Sequence, residues 1–313
     1  MVPLDPISAV LMTAEVVANP LHVAAVLILS PPEGSGDGYV DELYENALAG
    51  TDEVDARLRR YPHLGVDTGG VWVWRDIGDL DLRHHMRRRS LPPGAGREAL
   101  WAVVGELHAE PLDRSRPMWQ ACLIDGLQDG KFAYYAKVHH SLMDGVAGFR
   151  MIAESLTSDP ERRAMRPFFV SPPEKEPIGR AEAGSGILPN PIALTRSALG
   201  VAASSAGFVR RVVEGAASNM VQGLTTSTTT LPFGAPRTRF NGRLGRGRSF
   251  AAQTWPKSRL RAVQNAAGVT GNDVVTAMVA GGLRYWLIEH GELPARSLVA
   301  ICPVSVRGRN TDR

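Results

Sequence analysis

Residues 137–148, Lys-Val-His-His-Ser-Leu-Met-Asp-Gly-Val-Ala-Gly, hold the side chains of this chain best suited to chemistry. His139 and His140 end an apolar run, and Asp144 and Gly145 follow beyond Ser141, Leu142 and Met143. An imidazole titrating near about pH 6.5 can take a proton from a hydroxyl as that hydroxyl attacks an activated acyl group. A thioester is activated enough for direct attack, so a single base suffices if donors face the developing oxyanion. A zinc site is the weaker reading, because neighbouring strand residues point to opposite faces and no HExxH or CxxC cluster supports the pair. A serine nucleophile is also disfavoured: Ser141 adjoins His140, but the chain has no Gly-x-Ser-x-Gly elbow.

Local pattern suggests how the pair is presented. Over 132–140 the even positions Phe132, Tyr134, Ala136 and Val138 are more apolar than the odd positions Ala133, Tyr135 and Lys137. The even set should face the interior, so His140 emerges inward at the strand end and His139 points the other way. Asp144 suits the N-cap of a following helix, and Gly145 tolerates a left-handed turn. A buried Asp144 would need a partner; Arg116 and Arg307 are the candidates, and spacing does not choose between them.

The elements that must position these residues are legible as periodicities. Ile7, Val10, Leu11 and Ala14 predict a helix over 7–17, and 22–29 reads as a buried strand. Helices are expected over 38–49, 96–109 and 146–156, and a strand over 70–77. Strands 118–127 and 131–140 should form a hairpin around Asp129-Gly130. His84 and His85 are a second pair without the Asp-Gly, which favours a surface reading. Prolines break 157–190, which reads as a linker or mobile surface segment. A long helix over 191–223, a threonine tract over 225–230 and an arginine-glycine loop over 237–248 follow. That loop suits phosphate or anionic lipid, but a solvated loop is favoured. Strand 250–256, helices 256–267 and 272–290, and strand 297–306 complete the chain. Alternating strands and helices argue for α/β layers.

Composition narrows the class. The 313 residues are 44% hydrophobic and 21% charged, the profile of a globular protein with room for two domains or one large one. Lys and Arg number 35 against 32 acidic residues, and the net charge of +3 is no nucleic-acid footprint. Cys122 and Cys302 form no disulfide framework, which suits a reducing cytoplasm. The N-terminus lacks a basic leader pattern, and no apolar run approaches the ~20 residues of a membrane span. Any membrane contact is expected from the surface.

His139 to Gly145 also form the HHxxxDG motif of the CoA-dependent acyltransferase superfamily. "PLDRSRPMWQ" (111–120) is similar to the PLDxxRPxW segment of bacterial wax ester synthase/diacylglycerol acyltransferases. "LDPISAVLMTAEVVANPLHVAAVLIL" (4–29), "GNDVVTAMVAGGLRYWL" (271–287) and "PVSVR" (303–307) resemble the same family. The resemblance implies two chloramphenicol-acetyltransferase-like α/β halves with the site in a tunnel between them. Residues 1–156 would be the first half, 157–245 a linker and crossover helix, and 246–313 the start of a second half that appears truncated. It implies His140 as the base, with His139 and Asp144 as structural supports and Gly145 permitting the turn. Asn272 and Asp273 would shape the site or cap a helix, and Arg116 and Arg307 would support the motifs. The implied reaction esterifies diacylglycerol, or a long-chain alcohol, with acyl-CoA as co-substrate and no metal or prosthetic group. The implied setting is cytoplasmic, peripheral on the inner membrane or on lipid bodies, without nucleic acid, and with the remaining C-terminal half of the fold as partner. A polyketide or carrier-bound acceptor, or a degenerate lipid-binding protein, is the rival reading.

Overall fold

The computed structural model describes residues 2–17, 20–36, 38–50, 53–143, 145–159, 167–170, 235–242, 244–245 and 247–300. Contacts group the chain into two compact units, Met1–Ile187 with Gly245–Ala251, and Leu188–Leu244 with Ala252–Arg313. The expected α/β character is found.

The described elements of the first unit are, in order, β1 (Val2–Pro3), α1 (Pro6–Val17), β2 (His22–Leu29), α2 (Tyr39–Ala49), β3 (Arg60–His63), β4 (Val73–Asp76), α3 (Leu82–His85), β5 (Met86–Ala95), α4 (Arg97–Ala109), β6 (Trp119–Leu127), β7 (Phe132–His139) and α5 (Gly145–Glu154). The main sheet has the order β2-β7-β6-β5; β7 runs antiparallel to both neighbours, and β5 runs parallel to β6. A small antiparallel sheet has the order β1-β4-β3. Asp129 (φ 59°) and Gly130 (φ 66°) make the tight turn of the β6–β7 hairpin.

Both faces of the main sheet are covered. Trp119, Ala121 and Leu123 of β6 join Phe132 and Ala136 of β7 in one core with Val40 and Ala47 of α2 and Met151 of α5. The alternate residues Cys122, Ile124, Ala133 and Tyr135 pack with Leu100, Val104 and Leu107 of α4. This corrects the expectation that the odd residues of β7 look outward. Lys137 is fully buried and His139 is 1% exposed. The cover comes from α1 and α4, which β7's own pattern does not reveal. Lys137 tolerates its position because Nζ donates to the carbonyls of Leu107 (2.6 Å) and Glu110 (2.8 Å) at the C-terminal end of α4. Burial still pushes its amine down to about 8, with the Glu110 carboxylate opposing.

Two further expectations change here. Phe168, Phe169 and Val170, within the stretch read as a surface linker, are buried in the first core. Trp119 stacks on Phe169 (5.2 Å), and Phe168 lies edge-on to Trp119 and Tyr134. Two adjacent aromatics bury enough apolar area to override the neighbouring prolines. The stretch around His84 and His85 forms α3 and the start of β5, and the surface reading fails for His85, while His84 is half-buried. His85 is 1% exposed, stacks on Trp119 (4.6 Å) and donates from Nδ1 to the Trp119 carbonyl (2.8 Å). Burial chiefly holds its imidazole down to about 4. Two arginines of β5 are paired, Arg87 with Glu110 and Arg88 with Asp41 and Asp125.

In the second unit, α6 (Lys257–Ala267) and α7 (Gly271–Glu289) are joined through Gly268, in the left-handed conformation (φ 65°). Arg239 pairs with Glu292 and sits over the Trp286 ring, so this arginine of the basic loop is engaged within the protein. Residues 250–256, expected as a strand, have no regular structure, since no strand among the described residues pairs with them. Residues 297–300 are likewise irregular. The expected helix 191–223, the threonine tract 225–230 and residues 301–306 lie outside the described residues.

Gly126 is the tightest point of the main sheet. Its φ is +87°, and a Cβ there would lie 2.2 Å from the Leu91 carbonyl oxygen, where the β5–β6 register shifts. Gly126→Ala should therefore cost about 1–3 kcal/mol or more in chemical denaturation. Gly94→Ala, also at positive φ (+79°) but with nothing within 4 Å, should cost about 1 kcal/mol. Equal losses would show that the close approach to Leu91 does not matter.

Candidate active site

The strand directions bring one end of every main-sheet strand together. β2 begins at His22 opposite His139, β6 begins at Trp119 opposite Val138, and β5 begins directly after His85. The backbone at the histidine pair is pinned from both sides. His139 N–H donates to the Met118 carbonyl (2.9 Å), and His140 N–H donates to the Leu21 carbonyl (2.9 Å).

The two imidazoles then part. His139 is buried. Its Nδ1 accepts the Ser141 backbone N–H (3.1 Å) and lies 2.7 Å from Ser141 Oγ, so it carries the lone pair. The ring proton therefore sits on Nε2, which faces Glu15 Oε2 at 3.4 Å, longer than an ideal N–H···O contact. Glu15 also accepts Leu21 N–H at Oε1 (3.0 Å) and pairs with Arg114 at Oε2. Burial pushes the Glu15 carboxyl up, but the bonds from His139, Leu21 and Arg114 outweigh it and hold the group at about 2. His140, expected to emerge inward, is instead exposed at the end of the covered strand, and no hydrogen bond engages its ring among the described residues.

Helix α1 builds the floor under this turn. Ser8, Met12 and Glu15 recur at the i, i+4, i+7 spacing of one helix face. Ser8 Oγ donates to the Ser141 carbonyl (2.9 Å), and Ser141 Oγ lies 3.4 Å from Met12 Sδ. This corrects the expected apolar stripe: Ser8 and Met12 are buried, whereas Val10 is 59% exposed. The side chains of Ile7 and Ala14 lie outside the described residues. A polar residue can occupy the buried face because the histidine turn supplies its acceptor. Ser141 thus serves His139, not His140.

The remaining expected site residues are spread more widely. Gly145 opens α5 without a positive φ, and a Cβ there would meet nothing within 4 Å, so the left-handed requirement expected of it is absent. The helix begins at this residue. Arg116 Nε lies 3.8 Å from Asp113 Oδ2. Asp144 and Arg307 lie outside the described residues. In the second unit, Thr270 is the N-cap of α7, and Asp273 completes a capping box, accepting Thr270 N–H (2.9 Å) and Oγ–H (2.6 Å). The Thr270 hydroxyl is the main reason that its carboxyl is held below the usual range. Asn272 is exposed in the same turn. Asp273 also borders a groove of about 660 Å³ between α6 and α7, lined by Trp255, Leu260, Val263, Val274 and Met278. Among the described residues, no three His, Cys, Asp or Glu side chains converge as metal ligands.

Sequence reasoning missed Ser8, Glu15 and Arg114. The helical spacing of Ser8, Met12 and Glu15 was a usable signal; Arg114 offered none. The carboxyl of Glu15 has a pH consequence. Its folded value, about 2, lies below the ordinary 4.5, so its contribution to stability is complete above about pH 4.5 and is lost as pH falls through about 2. The stability difference between wild type and Glu15→Gln should be about 3 kcal/mol at pH 7 and shrink toward zero near pH 2 in urea titrations. A difference independent of pH would contradict a charged, hydrogen-bonded carboxylate.

The family model described as the wax ester synthase/diacylglycerol acyltransferase catalytic domain matches residues 4–275. A Mycobacterium tuberculosis protein named as a putative diacylglycerol O-acyltransferase is 39% identical over 305 residues, covering 97% of this chain and 59% of the relative. Another from the same strain, named as a probable diacylglycerol O-acyltransferase, is 37% identical over 296 residues, covering 93% and 61%. Among solved structures, the wax ester synthase/diacylglycerol acyltransferase from Marinobacter aquaeolei VT8 aligns with a TM-score of 0.68 and 32% identity, over 93% of this chain and 62% of that one. The chain thus spans about three-fifths of the length of the relatives it matches. With a family match running from the start of α1 into α7, and a shared fold around the histidine turn, this chain belongs to the wax ester synthase/diacylglycerol acyltransferase family.

Proposed function

We propose that this chain serves an acyl-CoA-dependent O-acyltransferase that esterifies diacylglycerol, with long-chain alcohols as further acceptors. The observation that carries this reading is the division of the histidine pair. His139 is buried, with Nδ1 bonded to the Ser141 amide and Nε2 3.4 Å from Glu15, whereas His140 stands exposed on a pinned backbone, its ring without a hydrogen bond among the described residues. His140 takes the proton of the acceptor hydroxyl as the oxygen attacks the thioester carbonyl carbon. The carbon–sulfur bond then breaks, and the CoA thiolate recovers the proton from the imidazolium. His139 and Asp144 support the turn, and Arg116, Gly145, Asn272, Asp273 and Arg307 shape the surrounding motifs. Neither a metal nor a prosthetic group is required, since the thioester supplies the activation.

Long-chain acceptors partition into lipid, so the protein works at a membrane or lipid-body surface on the cytoplasmic side. No helix among the described residues is long and apolar enough to cross a membrane.

His140→Ala should lower kcat by about 10²–10⁴-fold in release of CoA from palmitoyl-CoA with diacylglycerol. The thermal transition should be unchanged, because the ring holds nothing together. Hexadecanol run in parallel ranks the acceptors. Wild-type turnover by this variant would rule out the general-base role, and lipid binding without turnover in the parent protein would favour a degenerate lipid-binding member.

A further inference from the structure

We propose that Glu15 is the positioning residue of this site: from α1 it holds the turn that carries His140, through the His139 ring and through the Leu21 backbone. The inference rests on the reading of His140 as the base and goes further, because it assigns a role to a residue outside the motif.

Each oxygen of the carboxylate has a separate task. Oε1 accepts Leu21 N–H (3.0 Å), and the Leu21 carbonyl in turn accepts His140 N–H (2.9 Å). Two hydrogen bonds therefore link the carboxylate to the backbone of the base. Oε2 faces His139 Nε2 (3.4 Å) and pairs with Arg114 from the loop before β6. With Nδ1 of His139 already accepting Ser141 N–H, the proton on Nε2 faces the Glu15 carboxylate, an electrostatic contact too long to count as a hydrogen bond. The same helix face fixes the far side of the turn, where Ser8 Oγ donates to the Ser141 carbonyl (2.9 Å). The backbone of His140 is thus held on both flanks from α1.

The residue type follows from the donor count. Leu21, Arg114 and His139 all present N–H groups to Glu15. A carboxylate, which only accepts, answers all of them; a glutamine of the same shape turns an NH2 group toward one of these donors. The glutamine variant therefore keeps the volume and loses the hold, which separates positioning from simple space filling. Partners that orient a functional histidine typically matter by about 10–100-fold in activity when removed.

The test uses the whole 313-residue chain as Glu15→Gln and Glu15→Ala, with Glu42→Gln on the exposed side of α2 as control. Two readouts are taken: kcat and KM for palmitoyl-CoA with diacylglycerol, and amide hydrogen exchange at Leu21, His140 and, within β7, Tyr135. Glu15→Gln should lower kcat about 10–100-fold with KM within about twofold. Exchange at Leu21 and His140 should quicken at least about tenfold while Tyr135 keeps its protection. Unchanged kcat overturns the proposal, even if exchange quickens, because Glu15 is then only a tether. A fall in kcat without quickened exchange also overturns it, because the effect does not pass through the turn. If wild type transfers no acyl group, the enzymatic reading fails by itself, and exchange alone decides whether Glu15 anchors the turn. Should Glu15→Ala fail to fold, the isosteric Glu15→Gln carries the test.

Discussion

A buried imidazole needs polar neighbours, and at His139 this need draws together parts of the chain that are remote in sequence. The Ser141 N–H satisfies Nδ1 by turning the backbone sharply after β7, while Glu15 comes from α1 to face Nε2. Glu15 is itself a charge in a half-buried place, and Arg114 and the Leu21 amide compensate it. Removing one member of such a set leaves the others less well compensated, at a cost that solvent reaching Arg114 moderates. The position of α1, the entry into β2 and the loop before β6 therefore depend on one another. An error in any of them would be felt at the histidine turn.

The second determinant is that both sheet faces are covered. Neighbouring strand residues must point to opposite sides, so an adjacent histidine pair at a strand end cannot share one environment. The cover from α1 takes one ring into the protein, and the end of the strand leaves the other outside it. Lys137 shows the same logic one step earlier on the buried face. Its ammonium is tolerable only because the C-terminal carbonyls of α4 have no helical partners of their own.

This explains which features the sequence makes legible. β2, α4, β6, β7, α6 and α7 are readable to within a few residues because each carries its own apolar period and a clear turn signal, such as Asp129-Gly130. β5 is not, because Arg87 and Arg88 are neutralised by Glu110, Asp41 and Asp125 from other elements, and its partner β6 is parallel and distant. The docking face of α1 is misread for a related reason: Ser8 looks like a solvent residue until the Ser141 carbonyl, far along the chain, is in place. Phe168 and Phe169 are hidden among prolines that suggest exposure. The motif at His139–Gly145 is visible as a pattern, but its support is not, since Glu15 and Arg114 meet it only through tertiary structure.

The way His140 is held bears on how a base can work here. Many catalytic imidazoles are oriented by a hydrogen bond to the second ring nitrogen. Among the described residues His140 has none, and its restraint comes through its backbone amide on Leu21 and through the turn hung from α1. A ring restrained in this way is free about its side-chain torsions until an acceptor hydroxyl occupies one nitrogen. In the proposed reaction, alignment of base and nucleophile would then be completed by the substrate. The protein's part is to fix where the Cα of His140 stands, and that is why the rigidity of the buried neighbour, rather than any contact of the exposed ring, governs the geometry of the site.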